Sequence, residues 1–110
     1  MKKNEKNPPR PTLSPVCALI GRFGSRWALL VLLTLHEGGV LRFGELVRAV
    51  PGGISERMLS AALRDLEGAG LVARRVYPEV PPRVEYATTP KTESLMPILR
   101  QLLDWARENA

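Results

Sequence analysis

The chain of 110 residues is 45% hydrophobic and 25% charged, proportions that suit one globular domain with a single modest core. Its formal net charge of +5 and sequence pI of about 10.0 favour a polyanionic partner. No apolar run is long enough to span a membrane, and the single cysteine rules out an internal disulfide, so we expect a protein of the reducing cytoplasm.

Residues 1–13 are predicted to form a flexible basic tail, because they contain four basic residues, one acidic residue, three prolines and almost no apolar side chains. The tail either remains solvated or adds a sequence-independent attraction to phosphates. The globular pattern starts at Ser14, which defines a domain of residues 14–110.

Two helices are predicted at the start of this domain. The first begins at Ser14 or Pro15, and its apolar side chains follow at helical spacing, namely Val16, Leu19, Ile20 and Phe23. Gly24 breaks this pattern, and Ser25 can cap a second helix that continues to Leu35. Because the second helix is apolar nearly all round, we expect it to be the central element of the core.

The next segment has the pattern of a helix-turn-helix. A short strand, Val40–Arg42, leads into a helix over Phe43–Val50, and the Pro-Gly-Gly that follows supplies the turn. Ser55 is a good N-cap for the second helix of the pair, the recognition helix, which extends to Glu67. The buried stripe of that helix is expected to consist of Leu59, Leu63 and Leu66.

Two strand-like segments, Leu71–Tyr77 and Arg83–Thr88, follow the recognition helix. The prolines of the PEVPP segment between them lack an N–H donor, so the strands are expected to form a hairpin with a stiff, projecting tip. Alternation places Arg74 and Arg75 on opposite faces of the first strand. A helix-turn-helix followed by such a hairpin predicts a winged helix-turn-helix, a mainly α fold that places one helix in a DNA major groove.

A final helix is predicted over Thr89–Ala110, and Pro97 is expected to kink it or to start a second helix. Its apolar stripe is too wide for one small domain to cover, so we expect a two-fold dimer that sets two recognition helices about 34 Å apart. The alternative is that this helix folds back only on its own core. The N- and C-terminal helices are expected to form the dimer interface through Val16, Leu95, Leu99, Leu102 and Trp105.

Catalytic chemistry has little support in the sequence. His36 is the only histidine and lies at the end of a core helix, where a capping or surface role is usual. One cysteine and one histidine cannot build a structural zinc site, and no glycine-rich phosphate loop is present. We therefore expect no enzyme activity, no metal and no cofactor.

DNA binding has stronger support. The exposed face of the recognition helix carries arginines, which can bind guanine bidentately, and a serine, which can contact bases or phosphates. Arginines of the hairpin are expected to contact the backbone or the minor groove, and residues near helix starts are expected to hold phosphates. The expected DNA contacts are Arg42, Ser55, Arg57, Ser60, Arg64, Arg75 and Arg83.

After residue 13 the chain resembles the HxlR-type winged-helix regulators, a bacterial family related in architecture to the MarR group. The matching segments are SPV, GSRWALLVLL, RFGEL, ISERML, LRDLEGAGLVARRVYPEVPPRVEY and LMPIL, and within them RRVYPEVPPRVEY is the most specific. The resemblance implies a cytoplasmic homodimer that binds double-stranded DNA. Such regulators often act on neighbouring genes in response to redox or electrophile stress, and the sequence leaves open whether this one is a repressor or an activator.

Three positions depart from the family pattern. The family commonly places a redox-sensing cysteine just before the Pro-Val near the N-terminus, where this chain has Ser14. Cys17 lies about one helical turn later and is the candidate substitute, although a buried cysteine on an apolar helix usually serves packing. Gly53 is an extra residue in the turn before the recognition helix, and Pro90 and Thr92 follow the wing where the family usually has a glycine.

Two other functions remain open from the residues alone. One is a protein-interaction module that kept the winged fold but lost base reading, which Ala61 and Glu56 would suit. The other is the sensing of a small molecule in a pocket around Trp27 and Trp105, although aromatic residues there more often belong to the core. The effector of a regulator of this type would be such a small molecule or an oxidant.

Overall fold

The computed structural model describes residues 26–109, which form a winged helix-turn-helix in the predicted order. The tail, the first predicted helix and the candidate residues Val16 and Cys17 lie outside the described residues. The described elements are α1 (Arg26–Gly38), β1 (Leu41–Arg42), α2 (Phe43–Ala49), α3 (Glu56–Gly68), β2 (Val72–Tyr77), β3 (Arg83–Thr88) and α4 (Pro90–Asn109). Helices α2 and α3 are the helix-turn-helix, and β2 and β3 are the wing.

Helix α1 is the central element of the core, as its nearly continuous apolar sequence predicted. Val31, Leu32 and Leu35 are completely buried, and the helix packs against α2, α3 and β3. Burying a side chain of this size contributes roughly 1.5–3 kcal/mol, so the packing against α1 fixes the position of α3. The predicted buried stripe of α3 is confirmed, with at most 2% exposure at Leu59, Leu63 and Leu66.

Two glycines form the sharp turn between α2 and α3. Gly52 and Gly53 have φ angles of +93° and +74°, a backbone region in which any side chain is strained. A Cβ atom at Gly52 would lie 3.4 Å from the ring of Trp27, so this turn also approaches α1 closely. Beyond the turn Ser55 caps α3 as predicted, because its Oγ accepts a hydrogen bond from Met58 N at 3.1 Å.

Strand β3 is the central strand of an antiparallel sheet with the order β1-β3-β2. The register pairs Arg74 with Tyr86 and Arg75 with Glu85, so the two pairs lie on opposite faces of the wing. Arg74 and Tyr86 share a cleft with α3, and we call their side of the wing the inner face. Arg75 and Glu85 lie on the outer face. The predicted separation of the two neighbouring arginines is therefore confirmed.

The start of α4 is anchored to the turn between α3 and β2. Thr89 Oγ1 donates a hydrogen bond to Gly70 O at 2.6 Å, and Lys91 Nζ donates one to Ala69 O at 2.7 Å. Pro90 occupies the first helical position, where its missing N–H costs nothing. Although Pro90 departs from the family pattern at this junction, the helix still starts there and is hydrogen-bonded to the rest of the domain.

Thr92 is expected to be the most sensitive of these anchors, because it is completely buried and its Oγ1 donates a hydrogen bond to Leu71 O. Replacing Thr92 with valine keeps the side-chain shape but leaves that carbonyl unpaired, so the free energy of unfolding should fall by about 1–3 kcal/mol. Denaturant unfolding followed by circular dichroism measures the change. Ser94→Ala is the control, since Ser94 bonds Lys91 O on the exposed surface. Unchanged stability of Thr92→Val would contradict this anchoring role.

Helix α4 is one continuous helix that contains Pro97, so the prediction of a second helix start at this proline is wrong. Pro97 is exposed, and its missing N–H removes one intrahelical hydrogen bond, the one to Glu93 O. The helix continues because buried residues on both sides of the proline, Thr92 and Leu99, attach it to the core.

The apolar residues of α4 divide between its own core and solvent. Leu99 is only 5% exposed because its own chain already covers the side chain, so little of it is left for a second copy to contact, and its place in a dimer interface stays a prediction. Leu95 is half-buried against the core. Leu102 and Trp105 remain 55% and 62% exposed, and Ile98 joins them at 60%, although the sequence did not single it out for the interface. We call Ile98, Leu102 and Trp105 the α4 stripe.

Candidate nucleic-acid interface

Two arginines flank the solvent-facing side of α3. Arg57 and Arg64 are exposed and seven residues apart, which is about 10 Å along a helix. Neither guanidinium makes a hydrogen bond or an ion pair with a residue in the described part of the chain, so both can bind a ligand. Ser60 and Ala61 lie between them. This face therefore offers two forked donors, a hydroxyl and a methyl group, a set that suits base edges in a major groove.

The N-terminus of α3 presents one favourable and one unfavourable group for a phosphate. Ser55 is exposed, and because its Oγ accepts the capping hydrogen bond, its own proton remains available to donate. Glu56 is exposed in the first turn, where its charge suits the helix dipole but repels an anion. The structure thus places Ser55 where the sequence predicted a phosphate contact, next to a carboxylate.

Arg42 lies apart from these residues. Its backbone N–H donates a hydrogen bond to Glu45 Oε1 at 2.8 Å, and its side chain is exposed. The register pairs Arg42 with Glu85, which places it on the outer face of the sheet. The structure therefore does not bring Arg42 onto the surface that holds Arg57 and Arg64.

Arg83, at the tip of the wing, is engaged by its own hairpin. Its Nη2 lies 3.1 Å from Glu79 Oε2 and its Nη1 lies 3.2 Å from Glu85 Oε2. The guanidinium carbon also stands 4.0 Å from the centroid of the Tyr77 ring, a cation–π contact. Both terminal nitrogens thus have partners, and a DNA contact by Arg83 would have to break these ion pairs. These contacts join Arg83 to other residues of the hairpin, and its predicted DNA contact stays a prediction.

Arg75 belongs to the same outer-face network. A hydrogen bond to the Tyr77 side chain, and secondarily the nearby Glu85 carboxylate, raise the pKa of Arg75 above its ordinary value. Arg75 therefore has partners within the wing, and its predicted contact with the DNA backbone stays a prediction. Arg74 lies on the inner face and lines a cleft of about 190 Å³ between α3 and the wing, together with Ser60, Leu63, Arg64, Glu67 and Tyr86.

The sequence could have pointed to Arg74 but did not decide for it. Alternation along β2 showed that one of the two arginines faces α3, and only the packing of the wing on α3 determined which one. Tyr86 was missed because a tyrosine in an amphipathic strand looks like a core residue, and it is indeed only 9% exposed.

The described residues offer little for catalysis. His36 Nδ1 lies 3.2 Å from Glu93 Oε2 at the junction of α1 and α4, a histidine-carboxylate pair at the surface of the domain. Residues 26–109 contain no cluster of three or more histidine, cysteine or acidic residues that could hold a metal ion. Among the helices described here, none has the length and apolarity needed to cross a membrane.

The two tryptophans occupy different surfaces. Trp27 lines a groove of about 110 Å³ between α1 and α3, beside Met58 and Ala61. Trp105 lies on the α4 stripe and is mostly exposed. A single small-molecule pocket around both rings is therefore not formed by the residues that the structure describes.

Comparison with known proteins agrees with this architecture. The model of a family described as HxlR-like helix-turn-helix matches residues 22–110. An uncharacterised HTH-type transcriptional regulator of Methanothermobacter thermautotrophicus is 48% identical over 95 residues, which cover 86% of this chain and 71% of that protein.

Solved structures give the same result. A protein of Porphyromonas gingivalis W83 assigned to the MarR family of transcriptional regulators superposes with a TM-score of 0.72 at 42% identity, covering 87% of this chain and 92% of that one. The redox regulator HypR in its oxidised form superposes with a TM-score of 0.68 at 38% identity, covering 86% of this chain and 97% of the other.

Proposed function

The chain belongs to the HxlR-like helix-turn-helix family of transcriptional regulators, and from this premise we propose that it binds a specific operator in double-stranded DNA as a homodimer. The observation that carries the proposal is the pair of exposed arginines on α3, Arg57 and Arg64, neither of which has a partner in the described residues. No contact within residues 26–109 accounts for these two charges, whereas a major groove would use both.

In this proposal α3 enters the major groove. Arg57 and Arg64 bind guanine O6 and N7, which two guanidinium N–H groups can reach at once, and Ser60 contacts a base or a phosphate between them. Ser55 and Arg74 hold the backbone on either side of the groove. Arg75 and Arg83 maintain the shape of the wing from its outer face and contribute positive charge at longer range.

The homodimer rests on the α4 stripe. Ile98, Leu102 and Trp105 are each more than half exposed, and together they form an apolar surface along one side of a long helix. A second copy related by a two-fold axis would cover this surface with the same residues, with Leu95 at its border. Two recognition helices would then meet two half-sites about 34 Å apart, one helical turn of DNA.

The regulator is proposed to act in the cytoplasm, where it meets chromosomal DNA, and to respond to an oxidant or a small molecule. The similarity to a redox regulator supports an oxidant. A thiol-based response would have to use Cys17, because the chain has no other cysteine and has Ser14 at the usual sensor position.

A second candidate function is an interaction module without base reading. Glu56 and Glu67, at the two ends of α3, are exposed carboxylates that would oppose close approach of DNA. A module of this kind would bind DNA weakly and without regard to sequence, and it would release DNA at moderate salt.

Fluorescence anisotropy separates the two candidates. The purified protein is titrated against the DNA upstream of its own gene and against a scrambled duplex of equal composition, at several salt concentrations. We expect a preference of at least about a hundredfold for the upstream DNA, since specific sites typically win by ~10³ or more. Equal and strongly salt-dependent binding to both duplexes would contradict operator reading and favour the interaction module. A repeat with a thiol oxidant, in wild-type protein and Cys17→Ser, tests the oxidant response.

A further inference from the structure

The cleft between α3 and the wing contains a polar atom that the fold does not use. Tyr86 is only 9% exposed, and its residue lines the cleft beside Ser60, Arg64 and Arg74. No hydrogen bond joins its hydroxyl to another residue within the described part of the chain. The hydroxyl oxygen keeps contact with solvent, so its proton is available to donate, and the two arginines that line the same cleft favour an anionic acceptor there.

The position of the cleft identifies the chemistry of that acceptor. If α3 lies in a major groove and the wing reaches toward the neighbouring minor groove, the backbone that separates the two grooves must pass between them. Arginine, serine and tyrosine side chains are all common donors to phosphate oxygens. The cleft supplies these three kinds of donor on its two walls, Ser60 and Arg64 from α3 and Arg74 and Tyr86 from the wing.

We propose that this cleft is the seat of one DNA backbone phosphate, which accepts hydrogen bonds from the Tyr86 hydroxyl and the Arg74 guanidinium, with Ser60 on the opposite wall. This inference rests on the proposed DNA binding and adds a defined phosphate site to it. Arg64 borders the seat toward the major groove. Glu67 is the carboxylate among the residues that line this cleft, and its negative charge repels an anion toward the part of the cleft that holds the arginines.

Tyr86→Phe tests the hydroxyl and removes a single oxygen. The probe is the scrambled duplex, because a phosphate contact does not depend on sequence. We expect binding at least about tenfold weaker, the effect of one lost hydrogen bond to a charged acceptor, with the same dependence on salt as wild-type protein. Arg74→Gln should weaken binding and also reduce the slope of log affinity against log salt by about 0.9, because one fewer phosphate is neutralised.

Tyr77→Phe is the matched control. The chain has two tyrosines, and Tyr77 lies in the same hairpin, on the outer face, where its ring contacts Arg83. Its DNA affinity should equal that of wild-type protein. Thermal unfolding of both variants shows whether either loses stability. Wild-type affinity in Tyr86→Phe, or an equal loss in Tyr86→Phe and Tyr77→Phe, would overturn the proposed seat.

Neutral methylphosphonate substitutions locate the phosphate. Each phosphate of the upstream duplex is replaced in turn, and wild-type protein, Tyr86→Phe and Arg74→Gln are titrated against the set. At one position the substitution should weaken wild-type binding but have little further effect on the two variants. If, at every position, the loss caused by the methylphosphonate and the loss caused by the protein substitution simply multiplied, no phosphate would be shared by the two residues, and the proposal would be contradicted. If wild-type protein shows no preference for upstream DNA, the proposal of operator reading fails. The comparison of Tyr86→Phe and Arg74→Gln on scrambled DNA still shows whether the cleft holds a phosphate.

Discussion

Replacing Arg64 with alanine is expected to weaken binding to the upstream DNA by roughly 5- to 150-fold, which corresponds to about 1–3 kcal/mol for one bidentate contact to guanine. Binding to the scrambled duplex should fall much less. The reason is that a contact to a base edge depends on sequence and is made only at the right site. Arg64 is exposed on α3 and has no partner in residues 26–109, so the fold itself should tolerate the change. Anisotropy titrations on both duplexes measure the two losses.

Arg100→Ala is the control for this experiment. Arg100 is an exposed arginine of α4 that also has no partner among the described residues, so its replacement removes the same charge far from α3. It should change binding to both duplexes slightly and equally. Equal losses on the two duplexes in Arg64→Ala would reassign Arg64 from base reading to the phosphate seat that it borders.

Leu102→Glu is expected to have the largest effect of any exposed substitution in this protein. Leu102 is 55% exposed within one chain, so the folded monomer should tolerate the change, but a two-fold interface would have to bury a carboxylate from each copy. The dimer should dissociate, and affinity for the upstream DNA should fall by a factor on the order of 10² to 10⁴, because the two half-sites are no longer bound together.

Sedimentation equilibrium and circular dichroism test this expectation directly, the first for mass and the second for folding. Arg107→Gln is the matched control, because it also lowers the net charge by one on α4 but lies away from the α4 stripe, where Arg107 pairs only with Asp104. A dimer that survives Leu102→Glu would show that the α4 stripe is not the interface. If the wild-type protein itself is monomeric, the proposal that two copies bind two half-sites is contradicted.

Local chemistry explains why much of the fold could be predicted. Ser55 caps α3 through a hydrogen bond to a residue three positions later, and the turn before it needs the positive φ that Gly52 and Gly53 supply. The α3 stripe follows from the helical period alone. The same period selects Arg57, Ser60 and Arg64 as the candidate DNA contacts, because they lie on the side of α3 opposite the buried stripe, and the structure has all three on that side.

Several side-chain environments that the sequence pattern did not reveal depend on how the folded elements meet. Leu99 and Ile98 are adjacent in sequence and both apolar, and only the packing of α4 on the core buries the first and exposes the second. Arg83 looked like a free charge at a hairpin tip until the folded hairpin brought Glu79 and Glu85 to its two terminal nitrogens. Pro97 looked like a break, but burial on both sides of it keeps α4 continuous.

The sequence by itself determined the elements, their order and the exposed face of α3, because caps, glycines and hydrophobic periods act over a few residues. The tertiary structure alone decided that Arg74 rather than Arg75 meets α3, that Tyr86 lines a cleft, and which apolar side chains of α4 stay exposed. These outcomes depend on contacts such as the hydrogen bond from Thr92 to Leu71, which joins residues 21 positions apart. No local pattern encodes such a contact, since it exists only when helix, turn and wing pack together.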